Sequence, residues 1–295
     1  MTTRRQFLKS TAMLSAAALV SPSLLRPEKR KIGLQLYTVR GTMATDPKGT
    51  IEKVAKVGFN SVEAAGYSAD GMFYGMKPQD FSKLLEDNGL IIPSSHYSFG
   101  EDKDPKGNEK LGTILHGWDK AVQDGASIGL KYMVCAYLSP TERGGLDHYK
   151  IVADSLNKAG EICKKSGIQL CYHNHDFEFE KQNGKMGYDI LLDQTDKDLV
   201  KMEMDLFWVN KAGYNPIDLF KAHPHRFALW HVKDMDRTPE KKFTEVGNGT
   251  IDFISIFDHA GESGMKYFFV EQDQCPGNPF DSINQSYTYI KDNLI

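Results

Sequence analysis

Short apolar runs alternate with longer amphipathic segments along most of this chain, and that alternation constrains the fold more than any single motif. The runs are Lys31–Tyr37, Asn60–Ala64, Leu90–His96, Tyr132–Tyr137, Ile168–Tyr172, Leu199–Asp205, Phe227–Val232 and Tyr267–Glu271. Near-continuous apolarity over so few residues reads as a strand covered on both faces, the habit of parallel sheets. Between them, Pro47–Val57, Pro78–Asn88, Glu109–Ile128, His148–Ser166, Tyr188–Gln194, Pro216–Ala222, Asp252–Ala260 and Pro279–Asn293 read as helices. Asp46-Pro47 is a helix start with Pro at the first position, and Gly89 and Gly167 are helix stops. Eight strand–helix units in succession imply right-handed crossovers and a parallel sheet, and 295 residues can bury a core of that size. No GxGxxG turn follows the first strand, so a dinucleotide fold is set aside. The expectation is one α/β domain over residues 31–295, a closed (β/α)8 TIM barrel.

Net charge is only −3 with nine His, so no basic field argues for nucleic acid or for an anionic membrane surface. Residues 1–30 stand apart as a signal peptide and leader. Thr3-Arg4-Arg5-Gln6-Phe7-Leu8-Lys9 precedes a short apolar run from Ala12 to Val20, too weak to span a membrane permanently. The paired arginines resemble the bacterial twin-arginine signal, which implies an exported, periplasmic protein with no stable membrane span once the signal is removed. Four cysteines match no zinc knuckle or CxxC pair, and Cys135 and Cys171 sit inside strand runs, so buried free thiols are expected.

Four consecutive strands end in side chains competent for metals and protons. His173 and His175 follow strand 5, Asp205 ends strand 6, His231 and Lys233 flank the end of strand 7, and Glu271 ends strand 8. Barrel enzymes work at this carboxyl face, and residues two apart on a strand share one side. Each residue alone has an ordinary reading: a satisfied imidazole, a turn cap, a buried ion-pair partner. Together they make a mixed N/O set, His173, Asp205, His231 and Glu271, that suits Mn, Zn, Co or Fe better than Ca. Glu178 is a further metal candidate if it folds back. Glu271, His173, His175 and Lys233 are the catalytic candidates. Gln35, Tyr37, Glu63, His96 and Trp208 are candidate substrate contacts, Trp208 because sugars stack on aromatic faces. In FTEVGNGTIDF, Gly247 and Gly249 could form an anion-binding turn; a capped loop is the favoured alternative, with Glu245 reaching the pocket.

The phrases IGLQLYTVR, YHNHDFEF, WHVKD and VGNGTIDF, with Asp205, His231 and Glu271 in that order, resemble the sugar phosphate isomerase/epimerase group of xylose-isomerase-like barrels. The resemblance covers the chain from Lys31 onward. It implies a divalent metal held at the ends of strands 5 to 8 and proton transfer next to a carbonyl. The group's epimerases carry a Glu at the strand-5 position where this chain has His173, and that Glu is one of two opposed acid/base carboxylates. A single-base reaction therefore fits better than symmetric epimerisation. Expected activity is isomerisation or epimerisation of an unphosphorylated sugar. A lyase acting by β-elimination or hydration on 3-keto-glycosides is the runner-up, and a non-catalytic carbohydrate-binding barrel the third reading. The expected partner is a small carbohydrate, and a homo-oligomer is compatible with the sequence.

Overall fold

In the computed structural model, residues Lys31–Ile295 are described, and the expected leader over residues 1–30 lies outside them. Eight strands form the closed barrel: β1 (Ile32–Gln35), β2 (Ser61–Ala64), β3 (Ile91–Tyr97), β4 (Tyr132–Cys135), β5 (Gln169–His173), β6 (Val200–Asp205), β7 (Phe227–Val232) and β8 (Tyr267–Val270). Every neighbouring pair is parallel, and β1 closes the ring by pairing with both β2 and β8. The outer helices follow in order: α1 (Pro47–Val57), α2 (Pro78–Asp87), α3 (Trp118–Ser127), α4 (Leu146–Lys165), α5 (Gly187–Gln194), α6 (Pro216–Ala222), α7 (Phe253–Asp258) and α8 (Pro279–Asn293). The sequence therefore folds as the single-domain (β/α)8 barrel its alternation implies.

Local chemistry accounts for the helix starts. The Asp46 carboxylate accepts from the Gly49 amide ahead of α1, Asn215 caps α6, Asp252 caps α7 and Asn278 caps α8. The expected helix from Glu109 begins only at Trp118. Gly112 and Gly117 take φ of 75° and 69°, and a Cβ on Gly112 would meet the Tyr67 ring at 2.7 Å. That stretch is a loop laid against β2's exit, and its glycines rule out a helix. Among the described residues no helix is long and apolar enough to cross a membrane, and all four cysteines are free thiols.

Two cores divide the burial. The larger lies between the strands and the helices. The smaller fills the barrel interior with Val134, Cys171, Leu229 and Phe269. Gly33 makes room for it: a Cβ there would stand 2.4 Å from the Phe269 ring and 2.8 Å from the Phe268 carbonyl. Strand alternation then dictates the next layer. Two residues beyond this apolar plug, the inward positions are Glu63's neighbour Gln35, His173, His231 and Glu271, with Glu203 and Asp205 on the one inward face of β6. An apolar floor under a polar layer at the strands' carboxyl ends is what positions the site.

Candidate active site

A cavity of about 610 Å³ opens at the carboxyl end of the barrel. His96, His173, His175, Lys233, Glu271 and Asp273 line its base, and Tyr37, Tyr67, Tyr97 and Tyr137 its sides. Asp104, Glu109 and Lys110 reach it from the loop before α3.

Lys233 is the electrostatic centre of this base. Its ammonium lies 2.6 Å from Glu271 Oε2, 2.9 Å from Asp205 Oδ2 and 3.0 Å from Asp273 Oδ1. Burial alone would drive its pKa down, but these carboxylates outweigh it and hold the ammonium well above the ordinary lysine range. Burial likewise opposes the charge on Glu271, yet Lys233 and His231 keep that carboxylate lowered and ionised. At Asp205 burial wins, and its pKa is raised despite Lys233.

Below lies a second layer of imidazoles and carboxylates. His231 places Nδ1 2.7 Å from Glu271 Oε2 and Nε2 2.6 Å from Glu63 Oε2. His173 places Nδ1 3.0 Å from Glu203 Oε2, with Nε2 3.7 Å from Asp205 Oδ2. His96 bridges the two deep acids, its Nε2 2.6 Å from Glu203 Oε2 and 3.2 Å from Glu63 Oε2. Burial disfavours the charged form of His96, but Glu63 and Glu203 hold its pKa up to about 9. Burial and the neighbouring His231 instead push His173 well down, so its ring is neutral and free to ligate. Burial dominates at Glu203 and lifts it to about 7, whereas Glu63, beside His96 and His231, is held well below the ordinary range.

Two groups of these side chains bring ligand atoms within 4.8 Å of one another: Asp205, His231 and Glu271, and, deeper, His96, His173, Glu203 and His231. The donors are mixed N/O, and Asp205 Oδ2 is buried with the Lys233 ammonium at 2.9 Å and the His173 Nε2 at 3.7 Å. Buried carboxylates and imidazoles converging from three strands fit a divalent cation in chemistry.

The structure thus brings His173, Asp205, His231, Lys233 and Glu271 together, with His175 on the same wall and Tyr37 and His96 lining the cavity. Other expectations are displaced. Glu178 does not join the ligands: it points out of the barrel, accepting from the Tyr172 hydroxyl at 2.7 Å and the His175 amide at 2.8 Å. Gln35 and Glu63 are fully buried under the cavity, where the Gln35 amide donates to Glu63 at 2.7 Å; they support His231 and do not form part of the wall. Trp208 stands behind His175, ring centroids 5.5 Å apart, and is not on the cavity wall. Glu245 is turned away, accepting from the Ser282 hydroxyl at 2.7 Å. The VGNG turn is closed to anions, because the Asp234 carboxylate already takes the amides of Gly247, Gly249 and Ile251. Residue-level reading missed Glu203 and Asp273, although each lies two residues from a chosen acid on the same strand line. It also missed Tyr67, Tyr97 and Tyr137, whose only signal is aromaticity after a strand.

The pattern described as the xylose isomerase-like TIM barrel matches residues 51–292. The inosose dehydratase of Clostridium beijerinckii is 28% identical over 165 residues, which are 50% of this chain and 55% of that protein, so the chain spans little more than half of that relative's length. The inosose dehydratase of Geobacillus kaustophilus is 24% identical over 277 residues, 82% of this chain and 83% of that one. A sugar phosphate isomerase/epimerase from Parabacteroides distasonis has a similar structure, with a TM-score of 0.76, 28% identity, and coverage of 88% of this chain and 98% of that one. The protein IOLI, solved with a bound zinc atom, shares the fold at a TM-score of 0.68 and 17% identity, over 90% of this chain and 98% of that one. With a closed eight-stranded barrel beneath a family pattern that runs through most of its length, the chain belongs to the xylose isomerase-like TIM barrel family.

Proposed function

We propose that this barrel is a divalent-metal-dependent enzyme that abstracts a proton next to the carbonyl of an unphosphorylated sugar or sugar derivative, in the manner of an isomerase or epimerase. The observation that carries the reading is the convergence of Asp205, His231 and Glu271 beside His173 at the base of a sugar-sized cavity. His173, Asp205, His231 and Glu271 would hold the ion; IOLI, a protein of the same fold, was solved with a bound zinc atom. When bound, a divalent ion supplies Lewis-acid stabilisation of an enediolate. The chain's own groups do the rest. Glu271, kept ionised by Lys233 and His231, is placed at the cavity wall to accept the α-proton. Lys233 sets positive charge 2.6 Å from that base, where it opposes charge developing on the substrate's oxygens. Tyr37 and Tyr137, both exposed, line the cavity, and the loop before α3 brings Asp104, Glu109 and Lys110 to it.

The choice of an unphosphorylated substrate rests on charge. Asp104, Glu109, Glu271 and Asp273 line the cavity against only two lysines, Lys110 and Lys233, and the VGNG turn is filled by Asp234. Export through the twin-arginine-like leader is part of the same proposal, since free sugars and glycosides are the carbohydrates met outside the cytoplasm.

A second reading, elimination of a β-hydroxyl, is favoured by a specific observation. His173 holds the strand-5 position in place of a carboxylate, and curated relatives that match include inosose dehydratases. Mass spectrometry on a panel of free and 3-keto sugars, with and without chelator, separates the readings. Conversion without change of mass, abolished by chelator and restored by metal, supports isomerisation; a product lighter by one water moves the assignment to elimination. Bound sugar with no turnover in metal-replete protein would leave a carbohydrate-binding barrel and refute both.

A further inference from the structure

Glu203 lies with Glu63 beneath the cavity and is the acid of the site with the least evident use. It is wholly buried, it does not line the cavity, and so no substrate can touch it. Its Oε1 has no hydrogen-bond partner, while three imidazoles converge on its Oε2: His96 Nε2 at 2.6 Å, His173 Nδ1 at 3.0 Å and His231 Nε2 at 3.3 Å. A half-satisfied carboxylate in a barrel interior is costly, and an apolar side chain would pack there at less expense. The alternation of β6 explains how it arrives: two residues before Asp205, it faces inward one layer lower, in register with His173 on β5.

The geometry of the two candidate ligand rings shows what such a residue can do. An imidazole that ligates through one nitrogen must carry its proton on the other, and a carboxylate accepting that proton fixes both the tautomer and the ring's direction. His173 turns Nε2 toward Asp205 Oδ2 at 3.7 Å and gives Nδ1 to Glu203. His231 turns Nδ1 toward Glu271 and gives Nε2 to Glu63, with Glu203 behind it. Both rings therefore have one nitrogen on the Asp205–Glu271 side and the other on the Glu203 side.

We infer that Glu203 is a positioning residue which aims His173 and His231 together at a cation held with Asp205 and Glu271. The inference rests on the metal reading proposed above and adds to it one buried acid that orients two imidazoles on neighbouring parts of the barrel. It assigns Glu203 no contact with the ion and none with substrate.

The test is metal affinity and ligand field, measured by chelator competition and by visible absorption of the Co(II) form, on the full chain and on Glu203→Gln. The amide keeps the shape but is a weaker acceptor, so affinity should fall by about 10- to 100-fold and the cobalt spectrum should shift, with stoichiometry in the parent at one ion per chain. Glu203→Asp draws the charge back by one methylene and should lose affinity as well, which keeps the inference testable if the glutamine variant does not fold. Glu142→Gln is the control. Glu142 is a buried carboxylate outside the site that accepts from the amides of Gly100, Glu101 and Ser139, so its loss should lower stability and leave metal affinity unchanged. Parent-like affinity and spectrum in both Glu203 variants would overturn this inference alone. Two ions per chain, one lost with Glu203, would overturn it by making Glu203 a ligand of the deeper imidazole cluster. A parent chain that takes up no Mn, Zn, Co or Fe would overturn both this inference and the metal reading.

Discussion

Asp205, His231 and Glu271 come from the carboxyl ends of three different strands, yet their ligand atoms lie within 4.8 Å of one another. Asp205→Ala and His231→Ala each remove a donor from that group, so both purified variants should lose bound metal on elemental analysis; full occupancy in either would break the assignment. Lys233 is the next residue to probe. Replaced by Met, it leaves Glu271, Asp205 and Asp273 facing one another without the ammonium that now sits within 3.0 Å of each. A loss in kcat of about 10²-fold or more is expected, the usual scale for one electrostatic group at a reacting centre, with smaller change in KM. Steady-state kinetics on the substrate found by the sugar panel would read it. The same residues indicate how far sequence goes. Strand-end His and Asp were legible because an apolar run ending in ionisable groups has few other uses. Glu203 was not, since within VKMEMD a buried acid looks like any solvent-facing one until neighbouring strands supply three imidazoles. Glu178 misled for the opposite reason: four residues past the strand, nothing in its sequence position says that it turns outward to Tyr172.

At the scale of elements, two buried carboxylates hold loops that frame the barrel mouth. Asp234 gathers the amides of Gly247, Gly249 and Ile251 and so fixes the segment between β7 and α7. Asp234→Ala orphans these donors, and a stability loss of about 2–4 kcal/mol is expected from urea denaturation, with faster hydrogen exchange at those amides. Unchanged exchange there would mean the turn holds itself. Glu178 pins the short 3-10 turn after β5, Phe177–Phe179. Burial raises its pKa from the ordinary 4.5 to about 8, in spite of the bonds from Tyr172 and the His175 amide. The folded chain thus keeps a proton that the unfolded chain releases near 4.5, and stability contributed by this group is lost as pH rises through that window to about 8. Glu178→Gln should flatten the decline, so its Tm should gain on the parent's between pH 5 and pH 8; parallel melting curves would contradict the assignment. Strands and most helices were readable from period and punctuation. The start of α3 was not, because Gly112 and Gly117 sit in a stretch whose polar composition also suits a helix, and only their left-handed φ and the Tyr67 contact decide it.

Across the whole molecule, closure of the sheet does the work that no local motif could. It takes side chains from β2 at Glu63 to β8 at Glu271, more than two hundred positions apart, and sets both against the two nitrogens of His231. Eightfold alternation made that closure legible, and the apolar plug of Val134, Cys171, Leu229 and Phe269 beneath it explains why the polar layer sits at the carboxyl end. Reaction type is less legible for a physical reason. Isomerisation, epimerisation and dehydration share the first proton abstraction and differ in where a second proton carrier stands, a matter of a few ångströms on the cavity wall. The central claim, a cation site built by strands 5 to 8, is met most directly by anomalous diffraction from crystals soaked with Mn(II) or Zn(II). The account predicts one strong peak in bonding contact with His173, Asp205, His231 and Glu271, with Lys233 turned toward Asp273. A metal-loaded crystal whose only peaks lie elsewhere, with Lys233 still seated between Asp205 and Glu271, would contradict it.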